Sequence, residues 1–385
     1  MTMIGTFNFE PVRPYNDSEV PAAMKAIIED PFFPMVVKYC LPDANIDEVN
    51  RALSQIKTVD EFQTRVMYPA IQAVISKSTD GISFDGFDKI DDVKRHIFIA
   101  NHRDIALDSA ILDLLLYEHK IKTCQITFGS NLMKGNLVIN IGKLNKMFRI
   151  IRGGNIKDFY RNSLEVSAYM RHVVTELDES VWIAQRNGRT KDGNDKTEMG
   201  VLKMFSLSSD KGFVDNLDEL SITPVAVSYE YEPCDFLKTA ELYISRLQKY
   251  VKGENEDLNS ILTGIQQKKG KVHLAMTEPI SRKELEICDE KEKNEKMVAL
   301  ASLIDQRIYK SYKLFKTNYI AYDILNGGNA FADQYSADEK KDFIAYMNDG
   351  LAHIGIEAEP SELEQIFLRI YANPVVNCKG YIGEK

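Results

Sequence analysis

Ile97-Phe98-Ile99-Ala100-Asn101-His102-Arg103-Asp104-Ile105-Ala106-Leu107-Asp108 is the stretch from which the rest of the chain can be read. Its first four residues, apolar or small, predict a short buried strand that stops at Asn101-His102. Ser109, Ile111, Leu112, Leu115 and Leu116 then recur at helical spacing, so a buried helix follows. A histidine at the exit of such a strand, with carboxylates two and six residues on, suits base chemistry. Imidazole takes a proton near neutral pH, and a carboxylate on its other nitrogen fixes the tautomer. The plainer reading makes His102 an ordinary strand-end histidine and Asp104 the cap of the helix.

His102-Arg103-Asp104 also resembles the catalytic loop of a protein kinase. That loop requires an asparagine five residues after its aspartate, a later Asp-Phe-Gly and an upstream glycine-rich loop. Ser109 stands at the asparagine position and the other two signals are missing, so the kinase reading is rejected.

With 44% apolar and 27% charged residues over 385 positions, the chain reads as globular, with room for one large core. Its five cysteines, at 40, 124, 234, 288 and 378, form no CxxC pair, which argues against a disulfide framework or zinc site and suits a reducing cytoplasm. Residues 1–10 lack the pattern of a signal peptide, and no apolar run reaches the ~20 residues that span a bilayer. The expectation is a cytoplasmic protein, at most peripheral at the inner face of the membrane. Charge is unevenly spread: between His119 and Lys203 fifteen Lys and Arg stand against eight Asp and Glu, within a chain of net charge −9. Such a region attracts small anions. Nucleic acid is not expected, since the remainder of the chain is acidic and no nucleic-acid motif occurs.

Residues 1–80 read as a helical N-terminal region. Ser18 is expected to cap a helix ending near Asp30-Pro31, another covers Ile46 to Ile56, and Thr58-x-x-Glu61 forms a capping box for a helix running to about Lys77. Residues 81–317 form an α/β domain. Strands are predicted at Ile97–Ala100, Thr123–Gly129, Phe148–Arg152, Val181–Gln185, Ile222–Tyr231 and Val272–Thr277. Helices fall between them near 109–119, 133–146, 156–177, 197–208 and 235–251, and one long helix is predicted from Glu290 to Lys316. This alternation predicts a mixed or largely parallel central sheet flanked by helices, with ligands at the carboxyl ends of the strands. Residues 318–385 read as a helical C-terminal extension, broken at Gly327-Gly328 and Glu359-Pro360.

Three further stretches carry chemistry. Ile150-Ile151-Arg152-Gly153-Gly154 ends a strand in a permanent cation and two glycines, a combination suited to phosphate. Trp182 to Gly193 opens from a buried strand into a polar loop bearing Arg186, Asn187, Gly188, Arg189 and Lys191, a plausible anion cradle. In Ile222-Thr223-Pro224-Val225, a proline early in a buried strand suits a strand start or a site wall. Taken singly, each also fits ordinary surface or core.

In this order and at these separations, the four stretches resemble blocks I to IV of the glycerolipid acyltransferases, which include the glycerol-3-phosphate and 1-acylglycerol-3-phosphate enzymes. Asn101-His102 to Asp108 resembles the NH-x4-D block and Ile150 to Gly153 the block ending in arginine. Arg189-Thr190-Lys191-Asp192-Gly193 resembles part of the third block, and Ile222 to Val225 the fourth. The resemblance covers about residues 81–280. Two departures stand out. Five residues separate His102 from Asp108 where the family has four, leaving Asp104 a rival partner. Asn187, or Arg186 in the other alignment, stands where the third block usually carries a glutamate.

The resemblance implies a glycerol-3-phosphate acyltransferase-like α/β fold. His102, oriented by Asp108, would be the general base, and Arg152, Asn187, Gly188, Arg189, Lys191 and Pro224 would bind substrate. It implies transfer of a fatty acyl group from acyl-CoA or acyl carrier protein to a hydroxyl of a glycerol phosphate or lysolipid, with no cofactor or metal and with a membrane surface as an optional partner. The alternatives are an O-acyltransferase for a non-phosphate lipid acceptor and a non-catalytic acyl-lipid-binding protein. A thioesterase fits less well, because no G-x-S-x-G elbow occurs.

Overall fold

The computed structural model describes residues 7–90, 93–151 and 155–380. Among these, seven strands form one sheet in the order β1-β7-β6-β2-β5-β3-β4, numbered along the chain: β1 Ile82–Asp85, β2 Ile97–Ala100, β3 Gln125–Gly129, β4 Met147–Ile150, β5 Val181–Ala184, β6 Ile222–Tyr229 and β7 Val272–Met276. β6, β2, β5, β3 and β4 run parallel, whereas β7 is antiparallel to β6 and parallel to β1. The expected mixed α/β sheet is present. β1 is an addition: its exposed polar residues give no apolar run by which to recognise it.

β2 is central and wholly buried, as parallel strands covered on both faces must be. Its side chains alternate between the two layers. Ile97 and Ile99 pack with helix Ile156–Thr175 and helix Lys293–Ser311 through Val166, Met170, Leu300 and Ile304. Phe98 and Ala100 pack with helix Leu107–Glu118 through Leu107, Ile111 and Leu115. Each fully buried isoleucine, leucine or phenylalanine among these contributes about 1.5–3 kcal/mol.

The N-terminal region is helical, with different caps from those expected. Asn16, not Ser18, accepts from the first turn before helix Val20–Ile28. The Thr58/Glu61 capping box forms, and the helix it opens continues to Ser78 through a π turn at Gln63–Met67. Pro69 accounts for the π turn: it has no N–H to donate, and the wider turn lets Tyr68 N reach Gln63 O instead.

The expected helix from Glu290 to Lys316 runs only from Lys293 to Ser311, and the next helix, Lys316–Leu325, leads into the C-terminal extension. No glycine or proline breaks it. Residues 312–315 are drawn aside to the end of β6, where Lys313 N donates to Ser228 Oγ (3.1 Å) and the Tyr312 hydroxyl donates to buried Asp195. Asn318 Oδ1 then accepts from Phe315 N at 2.8 Å and restarts the helix.

The C-terminal helices Ala337–Ala352 and Pro360–Cys378 lie against the loops at the carboxyl end of the sheet. Asp235, fully buried, accepts from the hydroxyls of Tyr346 (2.8 Å) and Tyr371 (2.6 Å), from Gln267 Nε2 and from Phe236 N. Burial pushes its carboxyl up to about 6. Asn373 Nδ2 donates to Asp192 O, and Gly193 sits against the carbonyl of Ile370.

That last contact predicts a graded response. A Cβ on Gly193, whose φ is +74°, would lie 2.1 Å from Ile370 O, whereas one on Gly188, φ +79°, meets nothing within 4 Å. Gly188→Ala is expected to cost the roughly 1–2 kcal/mol of a left-handed non-glycine residue. Gly193→Ala should lose that plus about 1–3 kcal/mol of overpacking. Urea unfolding of the two variants measures the difference, and equal losses would mean that the Ile370 contact yields freely.

Candidate active site

β2 ends at Ala100, but β6 continues past its partner. Asn101 bridges the difference: its side-chain Oδ1 accepts from Val227 N (2.8 Å) and its Nδ2 donates to Val227 O (2.9 Å), as a backbone peptide would. The same Nδ2 lies 3.1 Å from Asp195 Oδ2. His102 is therefore delivered to a fixed position at the carboxyl edge, with its ring edge-on to Trp182 of β5 at a centroid distance of 5.3 Å.

The extra residue between His102 and Asp108 does not part them. His102 Nδ1 stands 2.8 Å from Asp108 Oδ2. A carboxylate only accepts, so Nδ1 carries the proton and Nε2 is left as the basic nitrogen. Asp108 Oδ2 also accepts from the amides of Arg103 (2.6 Å) and Asp104 (3.0 Å), while its Oδ1 accepts from the Tyr229 hydroxyl (2.7 Å). Asp104 faces elsewhere. Its Oδ1 accepts from Ala106 N and Leu107 N and starts the helix, as an N-cap does. Its Oδ2 is buried against Gly264 and has no hydrogen-bond partner among the described residues. Burial, with the neighbouring Asp108 carboxylate, raises the Asp104 carboxyl above its ordinary value.

The loop after β5 is tied to the histidine itself: Thr190 N donates to His102 O at 2.7 Å. Arg189 and Lys191 flank that tether. The Lys191 ammonium pairs with Glu241 of helix Asp235–Leu247, while Arg189 Nη1 has no hydrogen-bond partner among the described residues. Asn187 is exposed, and its N–H donates to Glu198 Oε2 at 3.1 Å. Glu198 Oε1 also lies 3.9 Å from Arg186 Nε. A carboxylate thus reaches this loop from eleven positions further along the chain, although none occupies position 187.

Beneath the loop lies a buried ionic network. Arg103 reaches Asp195 (2.6 Å) and Glu232 (3.1 Å), and Lys238 reaches Glu232 (2.6 Å) and the carbonyl of Arg103 (2.8 Å). Burial opposes the Arg103 charge, but Asp195 and Glu232 outweigh it and raise the guanidinium further. Two cations and two carboxylates balance, as a desolvated cluster requires.

Of the residues singled out in the sequence, His102, Asp108, Arg189 and Lys191 meet around one edge of the sheet, with Gly188 in the same loop. Arg152 lies outside the described residues. Pro224 is inside the sheet, opposite Ile99, its carbonyl taking the N–H and hydroxyl of Thr277, so it belongs to the ladder and not to the polar wall. The residue of β6 that enters the site is Tyr229. The alternation Val225, Val227, Tyr229 on the face of helix Leu107–Glu118 was its signal, a hydroxyl at the last inward position. Arg103, Asp195, Glu232 and Lys238 gave none, since charged residues in loops ordinarily face water. The basic segment is also less free than its count suggests: Lys122 and Arg95 share Asp178, and Lys146 pairs with Glu179.

No protein-family model matches the sequence, and no curated protein sequence matches it. Among solved structures, the chain is similar to the crystal structure of the 1-acyl-sn-glycerophosphate (LPA) acyltransferase PlsC from Thermotoga maritima. The identity is 14%, the coverage 76% of this chain and 91% of that one, and the TM-score 0.39. A likeness so distant does not bear on the chemistry.

Asp104 and Asp108 should respond oppositely to amide substitution. A carboxyl whose folded pKa is raised favours the folded state fully below its unfolded value, about 3.9, and that contribution is lost as pH rises through the folded value. Asn at 104 keeps the capping oxygen without the charge, so Asp104→Asn is expected to gain stability over the parent protein as pH rises above about 4. Asp108→Asn should lose stability at neutral pH, because a charged acceptor of four donors is replaced by a neutral one. Melting curves of the three proteins from pH 4 to 8 check both signs.

Proposed function

We propose that this chain is an O-acyltransferase that moves a fatty acyl group from a thioester, of CoA or of an acyl carrier protein, to the hydroxyl of a glycerol phosphate or lysophospholipid. The observation that carries the reading is the double tether of His102: its ring is held by Asp108, and its carbonyl by the amide of Thr190, between Arg189 and Lys191. A base with a free Nε2 is thereby fixed beside two cations at the carboxyl end of a largely parallel sheet, where ligands of such folds bind. The sequence resemblance supports the same reading, since two of its four stretches, Asn101 to Asp108 and Arg189 to Gly193, meet at this edge.

In the reaction, His102 Nε2 takes the proton of the acceptor hydroxyl as that oxygen attacks the thioester carbonyl. The tetrahedral intermediate collapses, the C–S bond breaks, and the departing thiolate takes the proton back from Nε2. The products are an ester and a free thiol, and the ring returns to its starting state. Arg189 and Lys191 would hold the acceptor phosphate, which positions the hydroxyl for attack. No helix of the described residues is long and apolar enough to cross a membrane.

One observation favours a second acceptor class. Lys191 already faces Glu241, and Arg186 lies 3.9 Å from Glu198, which leaves Arg186 Nε and Arg189 Nη1 as cationic loop donors without a hydrogen-bond partner among the described residues. An uncharged lipid hydroxyl would need no more than that.

Incubation with a labelled acyl thioester and a panel of glycerol 3-phosphate, lysophosphatidate and neutral monoacylglycerol tests both readings. An esterified phosphate acceptor is the expected product; ester on the neutral lipid alone would select the second. Binding without any ester would reduce the chain to an acyl-lipid-binding protein. His102→Ala is expected to abolish transfer with the fold intact and a modest fall in melting temperature, because the base is lost together with one of the four donors to Asp108 and the edge contact with Trp182. Arg189→Ala should raise KM for a phosphate acceptor by about ten- to a hundredfold, the equivalent of ~1.5–3 kcal/mol for a charge-assisted hydrogen bond. The KM for the thioester should stay within about twofold.

A further inference from the structure

We infer that Tyr229 is a positioning residue for His102, acting through Asp108. The inference deepens the acyltransferase reading and rests on its choice of His102 as base. β6 is eight residues long while its parallel neighbour β2 is four, so its last residue projects beyond the end of β2, paired only with Val272 of β7 on the other side. There Tyr229 is buried on the face of helix Leu107–Glu118, and its hydroxyl donates to Asp108 Oδ1 at 2.7 Å. The two amides from Arg103 and Asp104 occupy Oδ2 beside the imidazole. Without Tyr229, Oδ1 would have no donor among the described residues, and the carboxylate could rotate about its Cβ–Cγ bond. With it, both oxygens are fixed and a single orientation is offered to His102 Nδ1–H.

The hydroxyl suits this task because it remains protonated. Burial, together with the carboxylates of Asp108, Asp104 and Glu232, pushes its ionisation far above that of an ordinary tyrosine. It is thus a permanent neutral donor, which withdraws some negative charge from Asp108 without neutralising it. The groups around the pair are Asp104 and Arg103 from the same turn, Glu232 from the loop after β6, and the uncharged ring of Trp182.

The test reads the imidazole directly, so it does not depend on knowing the substrate. Nitrogen-15 histidine NMR of the full chain, with the His102 signal assigned by its loss in His102→Gln, reports tautomer and titration. In the parent protein the neutral ring is expected as the Nδ1–H tautomer. In Tyr229→Phe the titration midpoint should move upward by roughly half a pH unit or more, because a carboxylate relieved of one donor interacts more strongly with the imidazolium. The tautomer should also become mixed. With 3-fluorotyrosine at position 229, a stronger donor of almost the same shape, the midpoint should move downward; this second protein decides the matter if Tyr229→Phe does not fold. In an Asp108→Asn background, Tyr229→Phe should change neither quantity. Once a transferring substrate pair is in hand, Tyr229→Phe should lower kcat about tenfold with both KM values nearly unchanged, as lost orientation does. An unmoved midpoint and tautomer in either position-229 variant overturns the inference whatever the activity. Absence of transfer by the parent protein, with the NMR shifts present, overturns the acyltransferase reading and leaves Tyr229 in its place.

Discussion

The Asp108 carboxylate is the point on which the site depends. Four donors from two parts of the chain end on it: the imidazole of His102 with the two backbone amides that follow it, and a hydroxyl from the end of β6. A buried carboxylate is costly unless its lone pairs are met. Once they are met, it becomes rigid, because moving it would break several charge-assisted bonds together. The turn from β2 into helix Leu107–Glu118 is therefore shaped around the charge as much as around apolar packing. A turn with one residue more than the resembling family carries can still bring Asp108 to His102, since the two amides fold the extra length back onto the same oxygen.

Around this point the protein uses buried charge freely. Arg103, between the histidine and its partner in sequence, sends its side chain the other way into Asp195 and Glu232, and Lys238 closes the group. A balanced cluster of this kind adds little net stability over an apolar one, yet removing one member typically costs about 3–5 kcal/mol because it strands the others. Its consequence is geometric: three loops, after β2, β5 and β6, are held in one arrangement. Tyr312, pulled out of the helical pattern, contributes its hydroxyl to the same Asp195.

The C-terminal helices complete this support. Through Tyr346, Tyr371 and Asn373 they reach Asp235 and the loop after β5, so the rear of that loop is built from residues distant in sequence. At the front, Asn187 is exposed, while Arg189 is half-buried with its Nη1 turned inward. In the proposed reaction, such a rigid back would suit a loop that holds a ligand in register with His102.

Local pattern was enough to read much of the sheet and the turn that carries His102. Ile97–Ala100, Val181–Ala184 and Ile222–Tyr229 are apolar runs bounded by polar residues, and burial on both faces leaves such runs few alternatives. The capping box at Thr58 and the turn residues at Gly327-Gly328 are likewise short-range effects. Which aspartate meets His102 was beyond local pattern, because Asp104 and Asp108 both lie within reach; the family resemblance pointed to Asp108, and the direction of the turn, set by amides and by Tyr229, brings it there. The break at Tyr312–Phe315 was beyond it too: nothing local opposes a helix there, and the competing bonds come from Ser228 and Asp195, about 85 and 117 positions away. The sequence by itself determined the elements and the types of side chain at their ends, since both follow from interactions over a few residues. Tertiary structure alone decided which charges pair with one another and which remain for a ligand, because in a desolvated interior each charge takes its partner from whatever chain the fold brings beside it.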